Sequence, residues 1–305
     1  MTSLPMDAEE IVRLAHDNAS GPVRLGGNSS VTRARWHGRE IAIKQFGHHD
    51  DSPERAGREW DALTFLWAEA KGIAAEPIGV SKEHGILVEA WIAGRHPSPP
   101  ASMPSMLDLL YQLHDLASMT TYSRNHRATD AIDEPLDLVD QVRARLTKLS
   151  LDSKLSSVVR RIEIYLSSKT RTSKESAPCC PTLSPSDFGP HNILLARGVP
   201  SLIDLEFFGW DDAHKLVADT LLHPLVNWSA ISQAEFIAGV QRLYDLDPRR
   251  LEEVLELCRL KWSTIILKRA SRLFAEGNTR GGRRALAQAE TYVLDALEFG
   301  GQLPA

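Results

Sequence analysis

The chain has 305 residues, 43% of them apolar and 25% charged, with 35 Lys and Arg against 40 Asp and Glu and a net charge of −5. At roughly 150 residues per domain this is two domains or one two-lobed unit, and the composition excludes a disordered chain, a collagen-like repeat and a small disulfide scaffold. So mild a charge balance makes no case for nucleic-acid or membrane binding.

Cys179, Cys180 and Cys258 include no C-x-x-C pair, so reduced thiols in a cytosolic protein are expected rather than a zinc site. The N-terminal stretch MTSLPMDAEEIVRLAHD lacks the basic flank and apolar core of a signal peptide. No apolar run approaches the ~18 residues of a membrane span. A cytoplasmic location is the expectation.

Residues 1–93 read as strands plus one helix. Val23 to Leu25 is β-prone and is followed by the breaker cluster Gly26, Gly27, Asn28, Ser29 and Ser30. Val31 to Trp36 and Glu40 to Phe46 form two further strand candidates, with His37-Gly38 as the hairpin turn between them. Alternation in the second strand puts Ile41, Ile43 and Gln45 on one face and Ala42, Lys44 and Phe46 on the other, an unusual setting for a lysine. Asp51-Ser52-Pro53 signals a helix start. Trp60, Leu63, Leu66 and Trp67 recur at helical spacing, and Gly72 closes the helix. Pro77 to Val80 and Gly85 to Glu89 suggest a second hairpin.

The Pro- and Ser-rich stretch RHPSPPASMP at 95–104 reads as a linker or boundary opening a larger part, 94–305. Apolar residues at helical spacing mark helices around 106–116, 138–146 and 155–166, and the pattern is helical again from about Trp210 to the end. The helical region is interrupted by an island, LSPSDFGPHNILLARGVPSLIDLEFFGWDD. In it Asp187 and Asn192 precede the strand Ile193-Leu194-Leu195, Arg197-Gly198 makes a turn, and Asp204 follows Leu202-Ile203. A hairpin with an acid and an amide before its first strand and an acid after its second gathers all three at one end. Such oxygen ligands suit Mg²⁺, which takes carboxylates together with substrate phosphates.

The spacing D-x-x-x-x-N followed by an acid after a second strand resembles the catalytic loop and metal-binding segment of kinases. In Asp187, Asn192, Asp204 and Glu206 the island is similar to the H-G-D-x-x-x-x-N and I-D-x-[DE] motifs of the aminoglycoside phosphotransferase and choline kinase family, a branch of the protein-kinase-like superfamily. The resemblance extends in outline from about residue 20 to at least residue 225. It implies an α+β fold of two lobes, a small β-rich nucleotide-binding lobe (1–93) and a larger helical catalytic and substrate lobe (94–305). It also implies ATP and Mg²⁺ as cofactors and a small-molecule hydroxyl as phosphate acceptor.

By the same resemblance each residue acquires a role. Gly26, Gly27, Asn28 and Ser29 bring backbone N–H groups to the phosphates. Lys44 neutralises phosphate charge and Glu59 holds Lys44. The segment Glu89 to Ile92, with Trp91, forms the hinge that reads adenine through its backbone. Asn192 and Asp204 hold Mg²⁺, with Glu206 as a further metal or water ligand, and Asp187 takes or orients the hydroxyl proton. Phosphoryl transfer asks mainly for positioning and charge neutralisation, so this set suffices in kind.

The family's His-Gly before the catalytic Asp is replaced here by Pro185-Ser186. That departure supports a second reading, a kinase-like pseudoenzyme that binds nucleotide and regulates a partner. The few residues between Asp204 and the next helix leave no room for the activation loop of a protein kinase. Asp211 and Asp212 read as caps of the next helix, Asp219 as a structural acid and His191 as an exposed loop histidine. The eight Lys and Arg between 259 and 284 read as a solvated basic face.

Overall fold

The computed structural model describes residues 6–18, 23–25, 29–47, 51–98, 102–149, 153–168, 177–226 and 228–300. The chain forms two compact units. The first comprises 1–129, 182–210 and 230–239, and the second 130–181, 211–229 and 240–305.

In the first unit, α1 (Ala8–Asp17) precedes β1 (Val23–Leu25), β2 (Ser29–Trp36), β3 (Arg39–Phe46), α2 (Ser52–Glu69), β4 (Pro77–Ser81) and β5 (Ile86–Ala90). The five strands make one antiparallel sheet in the order β1-β2-β3-β5-β4. The β2–β3 turn is His37-Gly38, with φ of 46° and 77°. Two positive φ values match the twist of a tight hairpin, and the glycine carries one of them without cost. Ile41 and Ile43 pack with Met6, Ile11, Ala15, Ile78, Ile86 and Val88 in the sheet's core against α1.

Helix α1 corrects the expectation of a single helix in this region. Its N-cap Asp7 accepts a hydrogen bond of 2.8 Å from the Glu10 N–H, and Ile11 and Ala15 are its buried residues. A ten-residue amphipathic segment is short enough to be missed by periodicity alone, but the Asp at the cap with Glu10 three positions on was a readable start.

Helix α2 starts where the Asp51-Ser52-Pro53 signal places it and buries Ala56, Ala62, Leu63 and Leu66. Gly72, at φ 103°, turns the chain after it. The 95–104 stretch is not wholly a linker, because α3 (Ser102–Met119) begins inside it. Proline at 104 is compatible with a first helical turn, where its missing N–H has no partner to lose. Arg95 meanwhile exchanges backbone hydrogen bonds of 3.2 and 2.8 Å with Leu195.

The island supplies β6 (Pro181–Ser184), a 3₁₀ turn at Pro190–Asn192, β7 (Ile193–Ala196), β8 (Val199–Leu202) and β9 (Gly209–Asp212). The β7–β8 turn is Arg197-Gly198, again a pair at positive φ, 53° and 84°. Gly209 lies so close to the backbone of residues 126–128 that a Cβ there would meet main-chain atoms at 2.4 Å.

The second unit is helical, with α4 (Pro135–Leu149), α5 (Ser156–Ser168), α6 (Ala213–Leu222), α8 (Pro248–Ala275) and α9 (Thr279–Gly300); α7 (Ala230–Leu243) runs from the first unit into the second. Leu138, Val142, Leu155, Ile162, Leu257 and Leu267 are among its core residues. A buried ion network ties α6 to α8. Lys215 lies 2.7 Å from Asp211 and 3.2 Å from Asp219, and Lys261 reaches both Asp219 oxygens at 2.8 and 2.6 Å. Burial opposes charge on Asp219, but Lys261 and Lys215 outweigh it and hold the carboxyl below its ordinary range.

Asp212 caps α6 through the His214 N–H at 3.0 Å and also receives Arg250 at 2.7 and 2.5 Å. Asp211 does not cap the helix. It pairs with Lys215 and accepts from the Ile132 N–H at 3.1 Å. Lys261 is likewise no part of a solvated face, being only 5% exposed, whereas Lys268, Arg269, Arg272, Arg280, Arg283 and Arg284 are exposed.

Candidate active site

The site lies within the first unit. Lys44 sits in β3 opposite Val31 and Leu87, on the sheet face away from the isoleucine core. It is 3% exposed. Its Nζ donates to Glu59 Oε2 at 2.6 Å, donates to Asp204 Oδ1, and lies 3.9 Å from Glu206 Oε2. The Phe46 ring lies under the ammonium at 4.8 Å. Burial alone would lower the lysine pKa, but Glu59, Asp204 and Glu206 together overcome it and raise it, so the ammonium is fixed in its charged form.

Glu59 comes from α2 and is 1% exposed. Burial pushes its carboxyl up to about 7 against the pull of Lys44. One turn earlier on the same helix face, Arg55 donates to Glu206 Oε2 at 2.6 Å. Arg55 was not among the residues expected from the sequence, although its i, i+4 relation to Glu59 puts both on one face of α2. Glu206 is 2% exposed, and burial, then Asp204, raise its pKa.

Asp204 stands at φ 62°, a left-handed conformation that Asp tolerates better than most residues. Its side chain is 38% exposed, in contrast to its buried neighbours. Oxygens of Glu59, Asp204 and Glu206 all lie within 4.8 Å of one another.

The β7–β8 hairpin links this cluster to the remaining loop residues. Ile193 is opposite Leu202, and the Ile203 N–H donates to Asn192 O at 3.0 Å, so Asn192 and Asp204 flank the hairpin's open end. Asn192 is buried and donates through Nδ2 to the Asp187 carbonyl at 2.9 Å, which turns its amide oxygen to the other side. Asp187 is partly exposed, and its Oδ1 lies 3.3 Å from His191 Nε2.

The Pro185-Ser186 loop is shaped by its own hydrogen bonds. Ser186 takes φ 66°, its N–H bonds to Ser184 Oγ at 3.0 Å, and its own hydroxyl donates to Thr129 O at 3.3 Å. The Asp187 N–H closes a tight turn on Pro185 O at 2.8 Å.

Glu89 lies in β5 opposite Ala42, on the face that carries Lys44, and is half-buried. Burial, then the Glu59 charge, pushes its carboxyl up to about 8. Trp91 follows the strand. Its backbone N–H is committed to Glu40 O at 3.1 Å, and the Arg33 guanidinium lies 5.1 Å from its ring. Ser29 opens β2 opposite Phe46, while Gly26, Gly27 and Asn28 lie outside the described residues.

The carboxyls of Glu59, Asp204 and Glu206 thus gather around the ammonium of Lys44, and Glu206 also takes the guanidinium of Arg55. A cluster of this sign and of hard oxygen donors fits a divalent cation such as Mg²⁺. Asp204 has an exposed carboxylate to offer and Asn192 an amide oxygen, whereas Glu206 is already engaged by Arg55.

No family sequence profile matches the chain, and no curated protein sequence does. Solved structures do. A Ralstonia eutropha protein provisionally assigned as an aminoglycoside phosphotransferase superposes with a TM-score of 0.67 at 9% identity, covering 98% of this chain and 99% of its own. The choline kinase LicA from Streptococcus pneumoniae gives 0.60 at 13% identity, over 95% and 100% of the two chains, and matches also as its complex with AMP. An amicoumacin kinase in complex with AMP-PNP, Ca²⁺ and Ami gives 0.58 at 13% identity, over 95% and 94%. The chain therefore has the protein-kinase-like fold of the choline kinase and aminoglycoside phosphotransferase structures, with a small antiparallel sheet in its N-terminal region and a larger helical C-terminal part.

Proposed function

We propose that the protein is an ATP- and Mg²⁺-dependent phosphotransferase acting on a hydroxyl of a small molecule, with residues 1–93 as the nucleotide lobe and 94–305 as the catalytic and substrate lobe. The observation that carries the reading is the contact of Lys44 with both Glu59 and Asp204, which come from β3, α2 and the end of the β7–β8 hairpin. That ordered triad is what a nucleotide phosphate needs: a fixed cation, an acid that aims it and an acid that faces a metal. The fold is shared with kinases seen with AMP and with AMP-PNP and Ca²⁺, which supports nucleotide as the donor.

In this reading Lys44, aimed by Glu59, neutralises the phosphates. Asp204 and Asn192 hold Mg²⁺, with Glu206 as the further acid beside them. When bound, the ion screens the charge of the transferring phosphoryl group. Asp187 orients the acceptor hydroxyl and takes its proton; the bond from Asn192 to its carbonyl sets the loop in place. Glu89, Trp91 and the rest of the 89–92 segment receive the base. Cytoplasmic ATP and Mg²⁺ match a chain in which no helix of the described residues is long and apolar enough to cross a membrane.

The pseudoenzyme reading keeps one observation in its favour: Ser186 sits at a backbone angle that glycine would take freely. Two measurements separate the readings. Thermal shift with ATP, with and without Mg²⁺, tests the nucleotide site, and labelled-ATP transfer to amino alcohols, sugars, nucleosides and antibiotics tests turnover. Failure of ATP to raise the melting temperature at millimolar Mg²⁺ removes both. Stabilisation without transfer to any acceptor favours the pseudoenzyme.

A further inference from the structure

We propose that Arg55 is a positioning residue for Lys44: by holding the Glu206 carboxylate it keeps the ammonium committed to Glu59 and Asp204. The consequence for nucleotide rests on the phosphate role of Lys44 proposed above. The geometric part rests on the ion pairs alone.

Three carboxylates compete for one ammonium. Glu59 is at 2.6 Å, Asp204 is hydrogen-bonded, and Glu206 waits at 3.9 Å. Glu206 is 2% exposed, so its charge requires a partner inside the protein. Arg55 is that partner at 2.6 Å, and it is itself buried. The two cations share a floor, since the Phe46 ring lies 5.1 Å from the Arg55 guanidinium and 4.8 Å from Lys44 Nζ. Arg55 and Glu59 are one turn apart, so α2 delivers a cation to Glu206 and an anion to Lys44 from the same face. Remove the guanidinium, and the nearest cation to a bare buried carboxylate is Lys44. A movement of about 1 Å brings the two to hydrogen-bond distance. Lys44 then leaves Asp204, and its charge is misplaced for a phosphate.

The test uses the full chain carrying Arg55→Met, Arg55→Lys, Glu206→Gln, and Arg55→Met combined with Glu206→Gln. Crystal structures give the Lys44–Glu206 and Lys44–Asp204 distances, and calorimetry with Mg·ATP gives affinity. In Arg55→Met, Lys44 should close on Glu206 and release Asp204, with ATP affinity falling about tenfold. Arg55→Lys, which keeps the charge, should return affinity to within about threefold of wild type, and in the double variant, which removes the competitor, the Lys44–Asp204 hydrogen bond should be restored. Loss of packing alone would not be repaired by Glu206→Gln, so rescue separates positioning from bulk structure. Lys44 still on Asp204 in Arg55→Met, with unchanged affinity, overturns the proposal. If Arg55→Met does not fold, refolding of the double variant supports it and failure of the double variant overturns it. Should the wild type bind no Mg·ATP, the phosphate reading falls, while the distances in Arg55→Met still decide the role of Arg55.

Discussion

Lys44 and Asp204 are 160 positions apart in the chain and joined by a direct hydrogen bond from Nζ to Oδ1. The lysine is shut inside the sheet and helix, and the aspartate is more than a third exposed. The pair is thus a buried anchor with a solvent-facing partner, which is the arrangement a charged ligand can enter.

Asp204→Asn should keep the fold and lose the chemistry. The amide preserves shape at a partly exposed position, and Lys44 retains Glu59. Removing the charge should reduce phosphate transfer or ATP turnover at least about 100-fold, the scale of losing one preorganised electrostatic group. Circular dichroism and labelled-ATP turnover on the same preparation decide it; turnover equal to wild type would contradict the metal role of Asp204.

Glu89 should make stability fall between about pH 4.5 and 8. Its carboxyl is pushed from 4.5 to about 8 in the folded protein, chiefly by burial. A carboxyl that holds its proton more tightly when folded weakens the native state as pH climbs from about 4.5 through 8. Glu89→Gln should flatten that decline, gaining on wild type at pH 8.5 and matching it at pH 5. Urea unfolding at the two pH values is the check, and parallel pH curves for the two proteins would show that the buried acid has no such effect.

Asp212 has the opposite sign. Arg250 and His214 hold its carboxyl below the ordinary range despite burial. It therefore contributes stability above about pH 4 that is lost as pH falls through the lowered folded value. Asp212→Ala leaves Arg250, 3% exposed, without its carboxylate, and should cost about 3–5 kcal/mol. Denaturant titration at neutral pH reads this loss, and a change under about 1 kcal/mol would show the network to be dispensable.

Ser186→Gly should raise stability by about 0.5–1 kcal/mol, because glycine takes φ 66° without the steric cost a side chain incurs. The hydroxyl bond it removes, to Thr129 O, is a long one at 3.3 Å. A lower melting temperature in the variant would mean that this bond outweighs the backbone strain.

The parts of the fold set by local rules were legible. His37-Gly38 and Arg197-Gly198 announced their turns, and strict alternation through Ile41, Ile43 and Lys44 separated core face from site face. Spacing around Asn192 and Asp204 located the hairpin whose open end they flank. What escaped was pairing over distance. Nothing near Arg55 in sequence identifies Glu206 as its partner, and Lys261 reads as one more exposed cation until α6 brings Asp219 to it. The α1 helix was missed for a different reason: ten residues span under three turns, too few for periodicity to speak without the cap at Asp7.

The first unit is assembled from three separated stretches of chain, the last of them 230–239. Emerging from a ribosome, the N-terminal sheet, complete at Ala90, and α2 must therefore wait for about 115 further residues before Asp204 and Glu206 arrive, with Arg55 lacking its carboxylate and Lys44 leaning on Glu59 alone.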